Sequence, residues 1–464
     1  MDIEDGALEQ SARWDQRYHL RVSIPPEHAQ QSDSVVGAQG ANLHLADGST
    51  LIDMHGQYMC IGVGHGHPHI QKALHEAIAT LGYVSELFHH EARGRASKLL
   101  LEDTMPGEDW AGRVRYVSTG SEAVEAALNI ARLYKGRDLV VTTGATYHGW
   151  TRGAAEVTAM PLLRGDFVAA NGSIYGAGTQ LQPVGPSAIS GEKLSDGTLR
   201  SISELEHMIR AIGVGRIAAV ITELYAGAGG YLVPPDYASQ LRSMTRRLGV
   251  LWIDDEVLCG AGRTGKWWAY QHYGVTPDIL CTGKGITSSA VPGGACIVSN
   301  EIATFFDAGT WHTAASFSAH PLSLAGICAT IEVIRDESVL QHVQAMGALV
   351  DSRLAGLEAR HPSISGYDGL GLAWAINLVR DPTTGELWVQ QDRWHDPVID
   401  DEPDFKPVEW VASECRARGV LLFAFAPNTI TLAPPLLIEQ ATLERGLDVI
   451  DEVLTLLDEK CRAD

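Results

Sequence analysis

The chain has no C-x-x-C pair: its seven cysteines (Cys60, Cys259, Cys281, Cys296, Cys328, Cys415, Cys461) are odd in number and widely scattered. That usage argues against a disulfide framework or a zinc site and suits reduced, mostly buried thiols. No apolar run is long enough to span a bilayer, which excludes a membrane-spanning helix. Basic residues are scarce, 35 Lys and Arg against 57 Asp and Glu, for a formal charge of −22. Such a surface repels nucleic acid and anionic membranes, and no basic stripe overrules it. Internal repeats and low-complexity tracts are absent too. The opening MDIEDGALEQ carries no signal-peptide pattern, so a cytoplasmic location is expected.

What remains is ordinary globular composition, with 45% apolar and 20% charged residues over 464 positions. That length buries a large core and exceeds one small domain. Short β-branched runs at 139–143, 218–222, 250–254, 279–282 and 294–298 predict buried parallel strands. Between them, apolar residues recur at three- and four-residue steps over 122–135, 203–212 and 235–248, predicting helices. Strands alternating with helices make an α/β fold with a mainly parallel sheet, which places chemistry at the carboxyl ends of strands.

The two chain ends read differently. NLHLADGSTLID at 42–53 sets Asp-Gly between apolar runs, a hairpin signal. After Asp336 come a helix, a strand-like segment at 369–379, a loop rich in Asp and Pro at 396–407, and helical patterns at 408–418 and 441–460. We therefore expect a large domain over 76–334. A small α+β domain is expected from both ends, 1–75 and 335–464.

Four motifs carry chemistry. YVSTGSEAVEAA at 116–127 runs from a strand through Gly120-Ser121 into a strong helix. Free N–H groups and a positive dipole end there suit a phosphate, although capping alone accounts equally well for Ser121. Tyr147-His148-Gly149 follows a strand, where a flat aromatic either stacks on a heterocycle or simply packs. VLWIDDEVLCGAGRTG at 250–265 ends a buried strand in Asp254, Asp255 and Glu256. Buried carboxylates need a cation or a protonated ring; a pyridinium nitrogen, a salt bridge to Arg263 and a solvated loop all stay open. ILCTGKGI at 279–286 sets Lys284 between glycines after a buried strand. A desolvated lysine there forms an imine with an aldehyde, whereas a solvated loop lysine does nothing.

Other features read as structural. Three histidines within five residues, His65, His67 and His69, lie on a Gly/Pro turn without ligand geometry, so no metal is expected. Pro68 breaks any dinucleotide fingerprint, and the pair Trp267-Trp268 reads as packing.

Taken in order, these motifs resemble the class III (omega) aminotransferases, fold type I pyridoxal-phosphate enzymes. The match runs from about Asp47 to the C-terminus, through ADGSTLID, GHGHP, TGSEAVEAAL, YHG, DDEVLCGAGRTGKW, PDILCTGKGI, SFSAHPLS and a late APPL. The resemblance implies that the cofactor is pyridoxal 5′-phosphate, with Gly120 and Ser121 on its phosphate. Tyr147 would stack on the ring, with His148 in support. Asp255 would pair with the ring nitrogen and keep it protonated; the motif selects it over Asp254. Lys284 would hold the cofactor as a Schiff base and then carry the proton between substrate and cofactor. Ser316 stands where the family usually has Thr, a phosphate ligand given to the neighbouring subunit. A homodimer with active sites shared across the interface follows.

The departures bear on substrate. Leu258 replaces a Gln common in the family, resembling the omega-amino acid or amine:pyruvate subgroup. Trp150 and Phe423 stand where carboxylate-binding arginines are common, and 421–430 contains no Arg. Glu223 matches the cofactor-site Glu that often pairs with the second Arg, and Arg152 is the nearest replacement by sequence. Tyr58, Trp150, Arg152, Leu258 and Phe423 are the expected substrate-pocket residues. The expected reaction transfers an amino group from an amine or omega-amino acid to a pyruvate-like keto acid or an aldehyde. Two alternatives stay open: an aminomutase, epimerase or decarboxylase on the same fold, and a non-catalytic cofactor-binding module.

Overall fold

The computed structural model describes residues 5–20, 34–160, 191–227, 229–309, 311–389, 405–424 and 427–463. Most of the loop at 396–407 lies outside them. In chain order, the strands of the first half are β1 (Val35–Gln39), β2 (Asn42–Leu45), β3 (Thr50–Asp53), β4 (Ala111–Val117), β5 (Leu139–Thr142), β6 (Ile217–Thr222), β7 (Tyr225–Ala226) and β8 (Tyr231–Leu232). There follow β9 (Leu251–Asp255), β10 (Ile279–Thr282), β11 (Gly294–Ser299), β12 (Ile364–Leu370), β13 (Ala373–Leu378), β14 (Val420–Leu421) and β15 (Thr429–Leu432).

The central sheet runs β4-β11-β10-β9-β6-β5. Strands β5, β6, β9 and β10 pair in parallel. Strand β11 does not: it is antiparallel to both β10 and β4, which corrects the expectation of a parallel strand at 294–298. The short 3-10 turn Lys284–Thr287 is the only regular element between β10 and β11. So compact a connection returns the chain alongside itself, whereas a parallel neighbour needs a longer crossover, usually helical.

Strand β9 explains how the layers form. Leu251 and Ile253 belong to the core under helix Gly120–Lys135, while Trp252 belongs to the core on the opposite face. Period-two alternation therefore puts Asp255 on the helix side and Asp254 on the other.

The ends of the chain meet. β1, β2 and β3 make antiparallel hairpins, and β14 completes that sheet by pairing in parallel with β3. The segment at 369–379 is not one strand but the turn and second arm of a hairpin, β12 into β13, reversed at Gly371 and joined by β15. Helix Val339–Arg360 packs on β12, helix Pro407–Ala417 packs on β14, and helix Gln440–Ala463 packs on both of these helices. All seven cysteines are free thiols, five of them buried. No helix among the described residues is long and apolar enough to cross a membrane.

Candidate active site

Helix Gly120–Lys135 begins at the carboxyl end of β4. Its cap is Thr119, not Ser121: the Thr119 hydroxyl accepts the Glu122 amide at 3.2 Å, and the Glu122 carboxylate accepts the Ser118 amide at 2.7 Å. Capping thus falls to Thr119, and Ser121 stands in the first turn with its hydroxyl turned to the 147–150 loop. The Trp150 amide lies 3.4 Å from Ser121 Oγ. Gly149 allows that approach, because it has φ +127° and a Cβ there would sit 2.4 Å from Ser121 Oγ. Close packing also explains Gly120, where a Cβ would meet Val257 Cγ1 at 2.6 Å.

Opposite the helix start lies the acid-tipped end of β9. Asp255 Oδ2 is 2.7 Å from His148 Nδ1, and Oδ1 accepts the Val257 amide at 3.0 Å. Both side chains are buried. The His148 amide donates to Thr158 Oγ1 at 3.0 Å, fixing the loop, and His148 Nε2 is buried without a partner among the described residues. Arg263 does not serve these acids. Its guanidinium donates to the carbonyls of Ile61 at 2.9 Å, of Leu372 at 3.2 Å and of Pro434, and burial lowers it to about 10.

Glu223, the residue directly after β6, accepts the amides of Tyr147 at 2.7 Å and Gly227 at 3.2 Å. Burial above all, with the Asp255 charge, pushes its carboxyl up to about 7 against the opposing effects of His148 and the two amides. The same surroundings raise the Tyr147 phenol, through burial first and then Asp255 and Glu223.

Lys284 opens the turn after β10 with φ +42°, a left-handed conformation that costs an L-residue about 1–2 kcal/mol. Gly283 lets that turn back onto the helix start, since its Cβ would lie 3.1 Å from Gly120 Cα. Lys284 lies close enough to act on His55, which no sequence motif singled out. Burial, then the charges of Lys284 and Arg263 against that of Asp53, brings His55 down to about 3 and keeps it neutral.

Of the expected pocket residues, Tyr58 and Phe423 come together: their rings stack at 4.3 Å and 23°, with His55 edge-on to both. Tyr58 belongs to a left-handed turn, Gly56 to Met59, with φ between +50° and +62°. Leu258 packs against Gly227. Trp150 is 66% exposed, and Arg152 pairs with Glu156 at 3.4 Å. Ser316 is exposed, and its carbonyl accepts the Tyr83 hydroxyl at 2.9 Å. The histidine run serves packing, with His67 on Glu337 and His69 on Glu332. Trp267 and Trp268 are buried in the core.

The chain is similar to an S-selective transaminase from Arthrobacter sp., with a TM-score of 0.92 and 37% identity over 98% of this chain and 99% of that one. It is 28% identical to the putrescine–pyruvate aminotransferase of Pseudomonas aeruginosa, covering 91% of this chain and 89% of that protein. It is also 28% identical to an isoleucine 2-epimerase of Lentilactobacillus buchneri, over 91% and 89%. The fold is that of the type I pyridoxal-phosphate transferases, a central mixed sheet flanked by helices. The class III aminotransferase pattern matches residues 24–454, and the chain belongs to that family. It is accordingly a transaminase that uses pyridoxal 5′-phosphate and acts on small amines and keto acids.

Proposed function

We propose that this transaminase takes its amino group from an amine or omega-amino acid and gives it to a pyruvate-like keto acid or an aldehyde. The observation that carries this is the Tyr58–Phe423 stack beside neutral His55, an aromatic wall where a carboxylate-binding arginine is common. A charge-assisted, often bidentate contact is thereby missing. Apolar surface favours a hydrocarbon or aromatic body instead, at about 25 cal/mol per Å² buried. The names of the similar Arthrobacter and Pseudomonas proteins, an S-selective transaminase and a putrescine–pyruvate enzyme, agree with this reading. Alanine should then surpass glutamate as donor in kcat/KM. A wild-type preference for glutamate overturns the proposal, and its loss in Arg152→Ala would identify Arg152 as the carboxylate ligand.

The residues fit the cofactor. Helix Gly120–Lys135 offers free amides and the Ser121 hydroxyl at its start, the donor set a phosphate takes. Tyr147 would lie on the ring, and His148 and Glu223 hold the surrounding loops. Asp255, oriented by His148 and the Val257 amide, would keep the ring nitrogen protonated. Bound pyridoxal phosphate supplies an electron sink that acidifies the substrate carbon and stores the amino group between half-reactions. Lys284 would anchor it and then move the proton at the substrate carbon.

The division into domains is part of the same reading. Residues 76–334 would form the cofactor-binding part, with 1–75 and 335–464 beside it, as the β3–β14 pairing supports. Helix Pro68–Thr80 crosses the boundary and packs on helix Pro321–Asp336, so it goes with the large part. We also assign a homodimer, with Ser316 serving the partner's cofactor. The exposed apolar side chains of Tyr83, Leu87, Phe88 and Phe317 support that. Seven free thiols fit the reducing cytoplasm.

A further inference from the structure

Strand β9 ends in three acids, and only Asp255 faces the cofactor site. Asp254 and Glu256 point to the other side of the sheet, and both are 0% exposed. Glu256 is anchored: Oε1 accepts the Tyr270 amide at 3.0 Å, and Oε2 accepts the Cys259 thiol at 3.2 Å. Asp254 has no such support. Neither of its oxygens meets a donor among the described residues, and the group it does meet is the Glu256 carboxyl. Two ionised carboxylates are both acceptors, so that contact is a hydrogen bond only if a proton lies in it. A second buried negative charge beside the first is costly as well. Among the described residues, the other titratable groups facing the pair are Asp255, Cys259, Tyr270, Tyr273 and Cys281, and none is a cation.

We propose that Asp254 is a neutral acid at physiological pH, donating its proton to the Glu256 carboxylate, and that this pair holds Asp255 in place from behind. Burial first, then the neighbouring Glu256, drives the Asp254 carboxyl well above the usual carboxylate range. The pair ties the end of β9 to the 256–259 turn and thence to Tyr270. Asp255 lies between the two partners and is thereby fixed toward the front of the sheet. The shared proton also removes one of three adjacent negative charges, so that the charge at Asp255 acts on what lies before it. Asp254 is thus a positioning residue, acting through Asp255, and its role rests on the ring-nitrogen reading of Asp255.

The test is infrared spectroscopy of the apoenzyme and holoenzyme at pH 8.5, above the range in which Glu223 titrates. Wild type should show the carbonyl stretch of a protonated, buried carboxylic acid. Asp254→Asn should lack that band, yet keep its cofactor affinity within about twofold, because the amide still donates to Glu256. Asp254→Leu cannot donate and should bind cofactor about tenfold more weakly, the worth of one lost buried hydrogen bond. No band in wild type, or a band that survives in Asp254→Asn, overturns the shared proton. Normal cofactor affinity in Asp254→Leu overturns the positioning role. Should the leucine variant not fold, an Asp254→Asn protein with cofactor affinity reduced as much as tenfold overturns it equally. The band should persist in Asp255→Asn, so an error about Asp255 itself would appear as near-normal turnover in that variant with the band intact.

Discussion

His148 lies with Nδ1 2.7 Å from the Asp255 carboxylate in a buried pocket. Because an ionised carboxylate only accepts, Nδ1 donates, and the imidazole fixes the carboxylate while leaving its charge in place. The Val257 amide holds the other oxygen. With both oxygens tethered, the group is set in one orientation before any ligand arrives.

Asp255→Asn should fold and bind pyridoxal phosphate but lose turnover by roughly 10²-fold or more, since an amide cannot keep a ring nitrogen protonated. Steady-state rates beside a cofactor titration check this. Near-normal turnover would shift the role to another acid.

The purified protein should be yellow, and borohydride should fix the cofactor's mass to the peptide containing Lys284. Lys284→Ala should lose about 10²–10⁴-fold in rate from proton transfer alone. A reduced adduct mapped to any other lysine overturns the assignment. In wild type, donor alone should convert the cofactor to its amine form and release a free carbonyl product, which an epimerase would not do.

Ser316 should reach the partner's cofactor phosphate. Dilution to monomer, followed by sedimentation, should therefore release cofactor and abolish activity. A fully active monomer would contradict it.

Glu223 gives a pH signature. Its carboxyl goes from an ordinary value near 4.5 to about 7 on folding, so between those values the native state holds a proton that the unfolded chain gives up. Stability falls as pH rises through that window, by an amount on the order of 3 kcal/mol. Glu223→Gln should flatten the slope between pH 4.5 and 7 in urea titrations, whatever it does to absolute stability. An unchanged slope would mean that Glu223 ionises normally.

The sequence made much of this legible, because strand ends, a glycine turn and a flanked lysine are local signals. Thr119 was legible too: Thr119 and Glu122 stand three apart, the capping-box spacing, yet Ser121 drew attention as the residue next to Gly120. The direction of β11 was not, since hydrophobicity records burial and not polarity of pairing. Nor was the Tyr58–Phe423 stack, whose members lie far apart in sequence and meet only once β14 docks on β3. His55 had no local mark; its neutrality comes from burial and from Lys284.

That β3–β14 pairing orders events on the ribosome. Leu43, Leu45 and Leu51 form one small core with Leu421, so their apolar face has no lasting cover until nearly the whole chain has been made. At 5–20 residues per second, roughly 370 further residues take about 20 to 70 s. Through that interval the first hairpin is a nascent-chain hazard, an edge open to other chains, and a natural client for a chaperone that shields early strands.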